Sequence, residues 1–414
     1  MKVYHVTRRF NCEKWGGTES VVWNLANQMH RKSVESEILS TSMFSQPGDD
    51  SLVEIPLKRF PYTMPFWGLS AEQKKQLELK GGNPVCLGLY RYLMKNRDAD
   101  IIHTHVTHRL GALARTAALK MEIPYIVTLH GGFYTLPEAD AEVMQAPFKG
   151  KFEWGKLIGF WYGSRKVLKD ADAIICVGEN EFEAVKKVFP AKHVIYQPNG
   201  VDISKFRDVN DSGEFLKRIS LQENEKLIVC VSRIDPQKNQ ILLLEAFANF
   251  NKKYPEARLC FLGSVSHVEY HKKLESRVSE LGLEDKVNII TDCSYNGPML
   301  PEAYKNADVV VLPSRHEPFG IVVLEAWAAG VPVIASAVGG VPGFTADRKN
   351  VLHFESGNKG QLLECLNTIF SDGKLCSDLV SNANEKVLKY DWDVIASEQY
   401  ELYKSVINRK KNRR

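Results

Sequence analysis

Short apolar runs recur along the chain, and most are followed by a stretch in which apolar positions return with helical spacing. In the first half the runs predict strands at Lys2–Val6, Glu37–Leu39, Ile101–Thr104, Tyr125–Leu129, Ala173–Val177 and Val194–Gln197. Amphipathic helices, such as Glu19–His30 and Glu181–Val188, are expected between most of them. After Pro198-Asn199-Gly200 the rhythm restarts. Strands are expected at Leu227–Val231, Ala257–Leu262, Val287–Ile290, Val309–Leu312 and Val333–Ala335, with helices at Gln240–Phe250, Val268–Leu281 and Ile321–Ala329. Strands alternating with helices of this length predict parallel sheets covered on both faces. Two such series predict an α/β chain of two Rossmann-like domains, with the turn chemistry at 198–200 as linker.

Two segments break the rhythm. Met43 to Leu87 holds Pro47-Gly48-Asp49-Asp50, an aromatic patch at Phe60-Pro61-Tyr62 and Phe66-Trp67, and Gly81-Gly82-Asn83-Pro84. It reads as a long loop, functional or mobile. Trp154 to Tyr162 is aromatic, with basic residues after it. Its simpler reading is a partly buried helix packing on the sheet; the other is a membrane-surface face.

Composition sets bounds on this picture. A chain of 414 residues suits two domains of roughly 200 each. A net charge of +4 shows no global basic excess that would call for nucleic acid. The eight cysteines form no Cys-x-x-Cys pair, and Cys176, Cys230 and Cys260 sit in apolar runs, as buried thiols of a reducing compartment would. The first residues read as a strand rather than a signal peptide, and no apolar run approaches the ~18 residues of a membrane span. A cytoplasmic protein is expected, peripheral at the inner face of a membrane if the basic tail Arg409–Arg414 meets anionic lipid rather than fraying into solvent.

Open parallel sheets bind ligands beyond the carboxyl ends of their strands, so the residues there carry the candidate chemistry. The strongest stretch is Arg315-His316-Glu317-Pro318-Phe319-Gly320-Ile321, followed by Glu325. Pro318 suits the first turn of a helix, Gly320 allows close backbone approach, and a helix start offers free amides to an anion or to sugar hydroxyls. Glu317 and Glu325, the latter expected about two turns into the helix, supply carboxylates that accept from vicinal hydroxyls. The alternative is a capped surface helix with two solvated acids. After Val231, Arg233 and Lys238 place two cations on one loop, as a departing diphosphate requires where no metal serves, or as an ordinary basic edge would. Trp15-Gly16-Gly17-Thr18-Glu19 offers a glycine pair for a phosphate, a weak signal alone. His130, in Thr128-Leu129-His130-Gly131-Gly132, is either a sugar ligand or a structural histidine. His103 and His105 share a strand face, but no Cys, Asp or Glu completes a metal set at ligand spacing, and His105 fits better as a polar cleft residue.

Taken in order, the Gly-Gly-x-Glu loop, His130, Asn-Gly-Val-Asp (199–202), Ser-Arg-x4-Lys-Asn (232–239) and Glu-x7-Glu (317–325) resemble the retaining glycosyltransferases of family 4, which have the GT-B fold. The resemblance spans nearly the whole chain, and its last two motifs are the specific ones. It implies an N-terminal acceptor-binding domain (1–198, rejoined by a crossover helix at about 390–414) and a C-terminal donor domain (199–389). It implies that Arg233 and Lys238 hold a nucleotide-sugar pyrophosphate and that Glu325 binds ribose. It places Glu317 and the backbone of Phe319, Gly320 and Ile321 on the donor sugar, Gly16 and Gly17 on phosphate, and His130 on a sugar hydroxyl. Glu317, His130, Arg233 and Lys238 would be the catalytic group. It also implies transfer to a saccharide or lipid-linked acceptor, with no metal and no other cofactor. Two positions depart from the family pattern: Gly343 where an acid is frequent, and Gly263-Ser264-Val265 in place of Gly-x-Gly. They leave the nucleotide base open. A nucleotide-sugar epimerase or hydrolase on the same fold, and a non-catalytic carbohydrate-binding protein, are the other readings.

Overall fold

The computed structural model describes the chain except for residues 12–15, 53–54, 80–81, 133, 135–149, 211, 296 and 413–414. It divides into two compact units, Met1–Pro198 with Trp392–Arg414, and Asn199–Asp391.

The first unit holds an eight-stranded sheet: β1 (Lys2–Val6), β2 (Glu35–Thr41), β3 (Gly48–Leu52), β4 (Ile55–Phe60), β5 (Ile101–Thr104), β6 (Tyr125–Leu129), β7 (Ala173–Cys176) and β8 (Val194–Tyr196). The order across it is β3-β4-β2-β1-β5-β6-β7-β8, parallel except for β3 against β4. Successive side chains of β1 point to opposite faces. Val3 packs with Leu25 and Met29 of the helix Gly17–Arg31 and with Tyr403 and Val406 of the helix Trp392–Lys411. Tyr4 and Val6 pack on the other side with Leu110, Leu113 and Ala117 of the helix His108–Met121.

The second unit holds six parallel strands: β9 (Lys226–Val231), β10 (Ala257–Leu262), β11 (Val287–Ile290), β12 (Val309–Leu312), β13 (Val333–Ser336) and β14 (Leu352–Phe354), in the order β11-β10-β9-β12-β13-β14. Because helices cover both faces, β12 and β13 are buried along their whole length and read as unbroken apolar runs. In each unit the chain lays strands outward in one direction and then in the other. The reversal falls between β1 and β5 in the first and between β9 and β12 in the second. Such a switch point leaves a crevice at the strand ends, where ligands bind.

The structure corrects four expectations. Met43 to Leu87 is not a long loop: its described residues contain β3, β4 and the helices Ala71–Leu79 and, at its end, Leu87–Lys95. Pro56 and Lys58-Arg59 hide β4 in the sequence, but Ile55 and Leu57 turn inward and β2 pairs with it. The helix Gly155–Trp161 is partly buried as expected, but it packs through Gly155 and Gly159 against Pro65 and Arg109 rather than on the sheet, and Leu157, Phe160 and Trp161 are exposed. The basic tail is helical to Lys411, with Arg409 beside His193 and Lys410 on Asp172, cations at a helix C-terminus that complement its dipole. Finally, Pro318 precedes its helix, which begins at Ile321 after Gly320 in a left-handed conformation (φ 103°), so Glu325 lies about one turn in.

Among the described residues no helix is long and apolar enough to cross a membrane. Cys176, Cys230 and Cys260 are buried free thiols, and burial raises the pKa of Cys176 and Cys230 to about 12.

Candidate functional site

At the switch point of the second unit two loops meet. The one after β9 is shaped locally. Asp235 caps a single 3-10 turn, Pro236–Lys238, by accepting from the Gln237 amide at 3.0 Å, and its other oxygen accepts from Ser266 at 2.8 Å. Asn239 then takes a left-handed conformation (φ 54°) and starts the next helix. Gln240, fully buried, donates to the Ser232 hydroxyl at 2.9 Å and to the Arg233 carbonyl at 2.8 Å, which fixes the backbone that carries Arg233.

The loop after β12 is bound to the first. The Arg315 amide donates to the Gln237 carbonyl at 2.8 Å, and the Gln237 side chain donates to the His316 carbonyl at 3.0 Å. Lys238 donates to Oε2 of Glu317, which also accepts from Ser314 at 3.2 Å. Arg233 has no hydrogen-bond or ion-pair partner for its guanidinium among the described residues, and the amides of Phe319, Gly320 and Ile321 likewise find no acceptor there. The structure thus brings Lys238 and Glu317 into contact and sets Arg233 and the helix-start amides on the same two loops.

Two glycines let other segments close on these loops. A Cβ on Gly339 (φ 56°) would lie 1.9 Å from the Glu317 carbonyl oxygen, and one on Gly263 (φ 147°) 2.2 Å from that of Ser232. No side chain fits at either place. Glu325 is buried and accepts from the Tyr304 hydroxyl at 2.6 Å; burial raises its pKa, against the opposing pull of Tyr304 and Lys205. Gln240, Tyr304, Gly263 and Gly339 support the site without having figured in the sequence motifs as its functional residues.

In the first unit, Gly17 opens the helix Gly17–Arg31 and is exposed, whereas the Gly16 amide donates to the Glu19 carboxylate at 3.1 Å. Arg9 also donates to that carboxylate, at 2.7 Å. Trp15 lies outside the described residues. At the ends of β1, β5 and β6 an open pocket of about 250 Å³ is lined by Arg8, Asn83, His105, His108, Thr128 and His130, among others. Burial and the neighbouring Arg9 lower the pKa of Arg8 to about 10, so it stays a cation at neutral pH.

Behind this pocket runs a chain of imidazoles. His130 Nε2 meets His105 Nδ1 at 3.0 Å, and His105 Nε2 meets His5 Nδ1 at 3.2 Å. His103 is held between the Tyr403 hydroxyl and the Thr128 hydroxyl, each at 2.6 Å. Burial lowers the pKa of His130 to about 4 and of His5 to about 3; it also takes His103 and His105 well below the usual value, and the crowding of imidazoles, which resist being protonated side by side, lowers them further. All four are therefore neutral at physiological pH. Nε2 of His5 is buried without a partner. A buried unpaired N–H is a rarer orphan than an unpaired acceptor. Protons therefore belong on Nδ1 of His5 and of His105, which leaves Nδ1–H of His130 as a donor. The sequence showed His103 and His105 on one face but missed His5 from β1. These three bring one nitrogen each within 4.8 Å, the geometry of a candidate metal cluster. Apart from His5 Nε2, the nitrogens that a cation would need are engaged with one another, Tyr403 and Thr128.

Two parallel-sheet units, each with polar and charged groups at its switch point, define a GT-B glycosyltransferase architecture. Sucrose-phosphate synthase from Thermosynechococcus elongatus has this fold with a TM-score of 0.74 at 20% identity, over 98% of this chain and 99% of that one. Anabaena HepE in complex with UDP and glucose matches with a TM-score of 0.72 at 18% identity, over 98% and 100%. The family model for Glycosyltransferase Family 4 matches residues 15–205, and that for Glycosyl transferases group 1 matches residues 211–386. The chain is 29% identical to an uncharacterised glycosyltransferase of Methanocaldococcus jannaschii over 98% of each. It is 28% identical to a D-inositol 3-phosphate glycosyltransferase of Actinosynnema mirum over 91% of this chain and 89% of that one. The chain belongs to the group 1, family 4 glycosyltransferases, and it is a transferase enzyme.

Proposed function

We propose that the enzyme transfers a hexosyl unit from a UDP- or GDP-linked sugar to a saccharide or lipid-linked acceptor, with retention of configuration and without a metal ion. The observation that carries this reading is the cluster at the second switch point: Arg233 and Lys238 as cations, the Glu317 carboxylate, and three unpaired amides at the start of a helix. The donor's diphosphate is anionic and takes Arg233 and Lys238, which stabilise the charge that grows as the sugar–phosphate bond breaks. Glu317 and the amides of Phe319, Gly320 and Ile321 hold the sugar hydroxyls, and Glu325 the ribose. Gly16 and Gly17 meet phosphate, and His130 offers Nδ1–H to a sugar hydroxyl. The acceptor oxygen bonds to the anomeric carbon on the face that the phosphate leaves, and its proton passes to a phosphate oxygen. No protein nucleophile is needed. The pocket of Arg8, His105 and His130 receives the acceptor. That UDP and glucose sit in the HepE structure supports the donor class.

The test is turnover of a nucleotide sugar, chosen by which of UDP, GDP or ADP raises the melting temperature most. Lys238→Ala and Glu317→Ala are each expected to lower turnover about a hundredfold or more. Full activity in both variants overturns the site. Loss of activity in chelator, restored by a divalent cation, overturns metal independence.

A further inference from the structure

The helix Gly155–Trp161 is turned inside out. Gly155 and Gly159 stand four residues apart and share one face. That face is the inner one. A Cβ on Gly155 would lie 2.5 Å from the Pro65 ring and 2.9 Å from the Arg109 guanidinium, and one on Gly159 would lie 2.9 Å from the Ser164 hydroxyl. The outer face carries Lys156, Leu157, Phe160 and Trp161. Phe160 is 81% exposed, Trp161 79% and Leu157 66%. Beside the helix, Phe66 bridges Glu153, and the Trp67 amide donates to the Phe152 carbonyl at 3.1 Å. This sets the exposed Trp67 and Phe152 rings 5.0 Å apart. Large apolar side chains are normally scattered singly over a protein surface, and a cluster of them marks an interaction site.

The charges around the cluster choose its partner. Lys151, Lys156, Arg165, Lys166 and Lys169 are exposed. Among the described residues from 150 to 170, the two acids are neutralised within the protein, Glu153 by Arg109 at 2.7 Å and Asp170 by Arg115 at 2.7 Å. Apolar and aromatic groups set among cations that have no acidic partner among the described residues match the boundary of an anionic bilayer. A second copy of the chain fits poorly, because a twofold contact would bring the same cations against each other.

We propose that this face docks the first unit on an anionic lipid surface. Leu157, Phe160 and Trp161 enter the headgroup–acyl boundary, and Lys156, Arg165, Lys166 and Lys169 meet the headgroups. The proposal is independent of donor chemistry, because vesicle binding requires no turnover.

The experiment is co-sedimentation of the full chain with vesicles of equal parts phosphatidylcholine and phosphatidylglycerol, and with phosphatidylcholine alone. Stronger binding to the anionic vesicles, weakened by salt, is expected. The double variant Phe160→Ser, Trp161→Ser should bind at least about tenfold less, and so should Arg165→Glu, Lys166→Glu. Both should keep the parent melting temperature, since all four side chains are exposed. Equal binding by parent and variants, or no preference for the anionic vesicles, overturns the proposal. So does absence of vesicle binding, including the case in which the parent self-associates and the Phe160/Trp161 variant does not.

Discussion

The Lys238 ammonium and the Glu317 carboxylate are bonded directly to each other, although they come from loops after different strands. Their side chains are only 14% and 11% exposed. The two residues to which the proposed function assigns the phosphate and the sugar thus hold one another in place. On that proposal, a diphosphate that draws Lys238 would free an oxygen of Glu317 for hydroxyls and so couple the two halves of donor recognition.

That pairing predicts non-additive stability. Removing one partner leaves the other charge largely buried and unpaired, at a cost of about 1–3 kcal/mol. Lys238→Met and Glu317→Gln should therefore each lower the unfolding free energy in urea, and the double variant should lose less than the sum. Strict additivity would show that the contact contributes nothing.

Gly339 offers a test of backbone placement. Gly339→Ala puts a methyl into the Glu317 carbonyl and should reduce turnover by about tenfold or more, because a displacement of about 1 Å at a reacting group is costly. Gly357→Ala is the control. It also has positive φ (86°), but nothing lies within 4 Å of its Cβ position. It should cost only about 1 kcal/mol of stability and leave turnover unchanged. Equal activity losses in the two variants would contradict the steric account.

The buried histidines make the first unit sensitive to acid. Their folded pKa values lie below the unfolded value of about 6.5, at about 3 for His5 and about 4 for His130. As pH falls below the unfolded value, the unfolded chain takes protons that the folded chain refuses. Stability is thus complete above that pH and is lost as pH falls toward the folded values. Each fully suppressed histidine removes up to about 1.4 kcal/mol per pH unit. Thermal unfolding should show a transition that shifts down from about pH 6.5 toward about pH 4; a midpoint unchanged over that range would refute the coupling.

The strands that carry the site were legible because each is a buried apolar run followed by polar residues. β12, Val309–Leu312, leads directly to Ser314 and Glu317. β4 and β14 were not. Pro56 and two cations interrupt the first, and Leu352–Phe354 is too short for periodicity to register. Arg233, Lys238 and Glu317 stood out because position along one strand suffices to find them. Their supports arrive from elsewhere: Tyr304 reaches Glu325 from another helix, and Gly263 crosses Ser232 from the turn after β10. His5 joins His105 only once the pairing of β1 with β5 is known. Pairing between distant segments leaves no local trace in sequence.

The second unit begins at Asn199 and ends at Asp391, and those ends meet: Val201 bridges Asp391, and its amide donates to the Tyr390 carbonyl at 2.8 Å. Both chain termini belong to the other unit. The second unit is therefore a cassette spliced into the first, with entry and exit side by side. A unit whose two ends adjoin can be removed or replaced as a single piece without rebuilding the host fold.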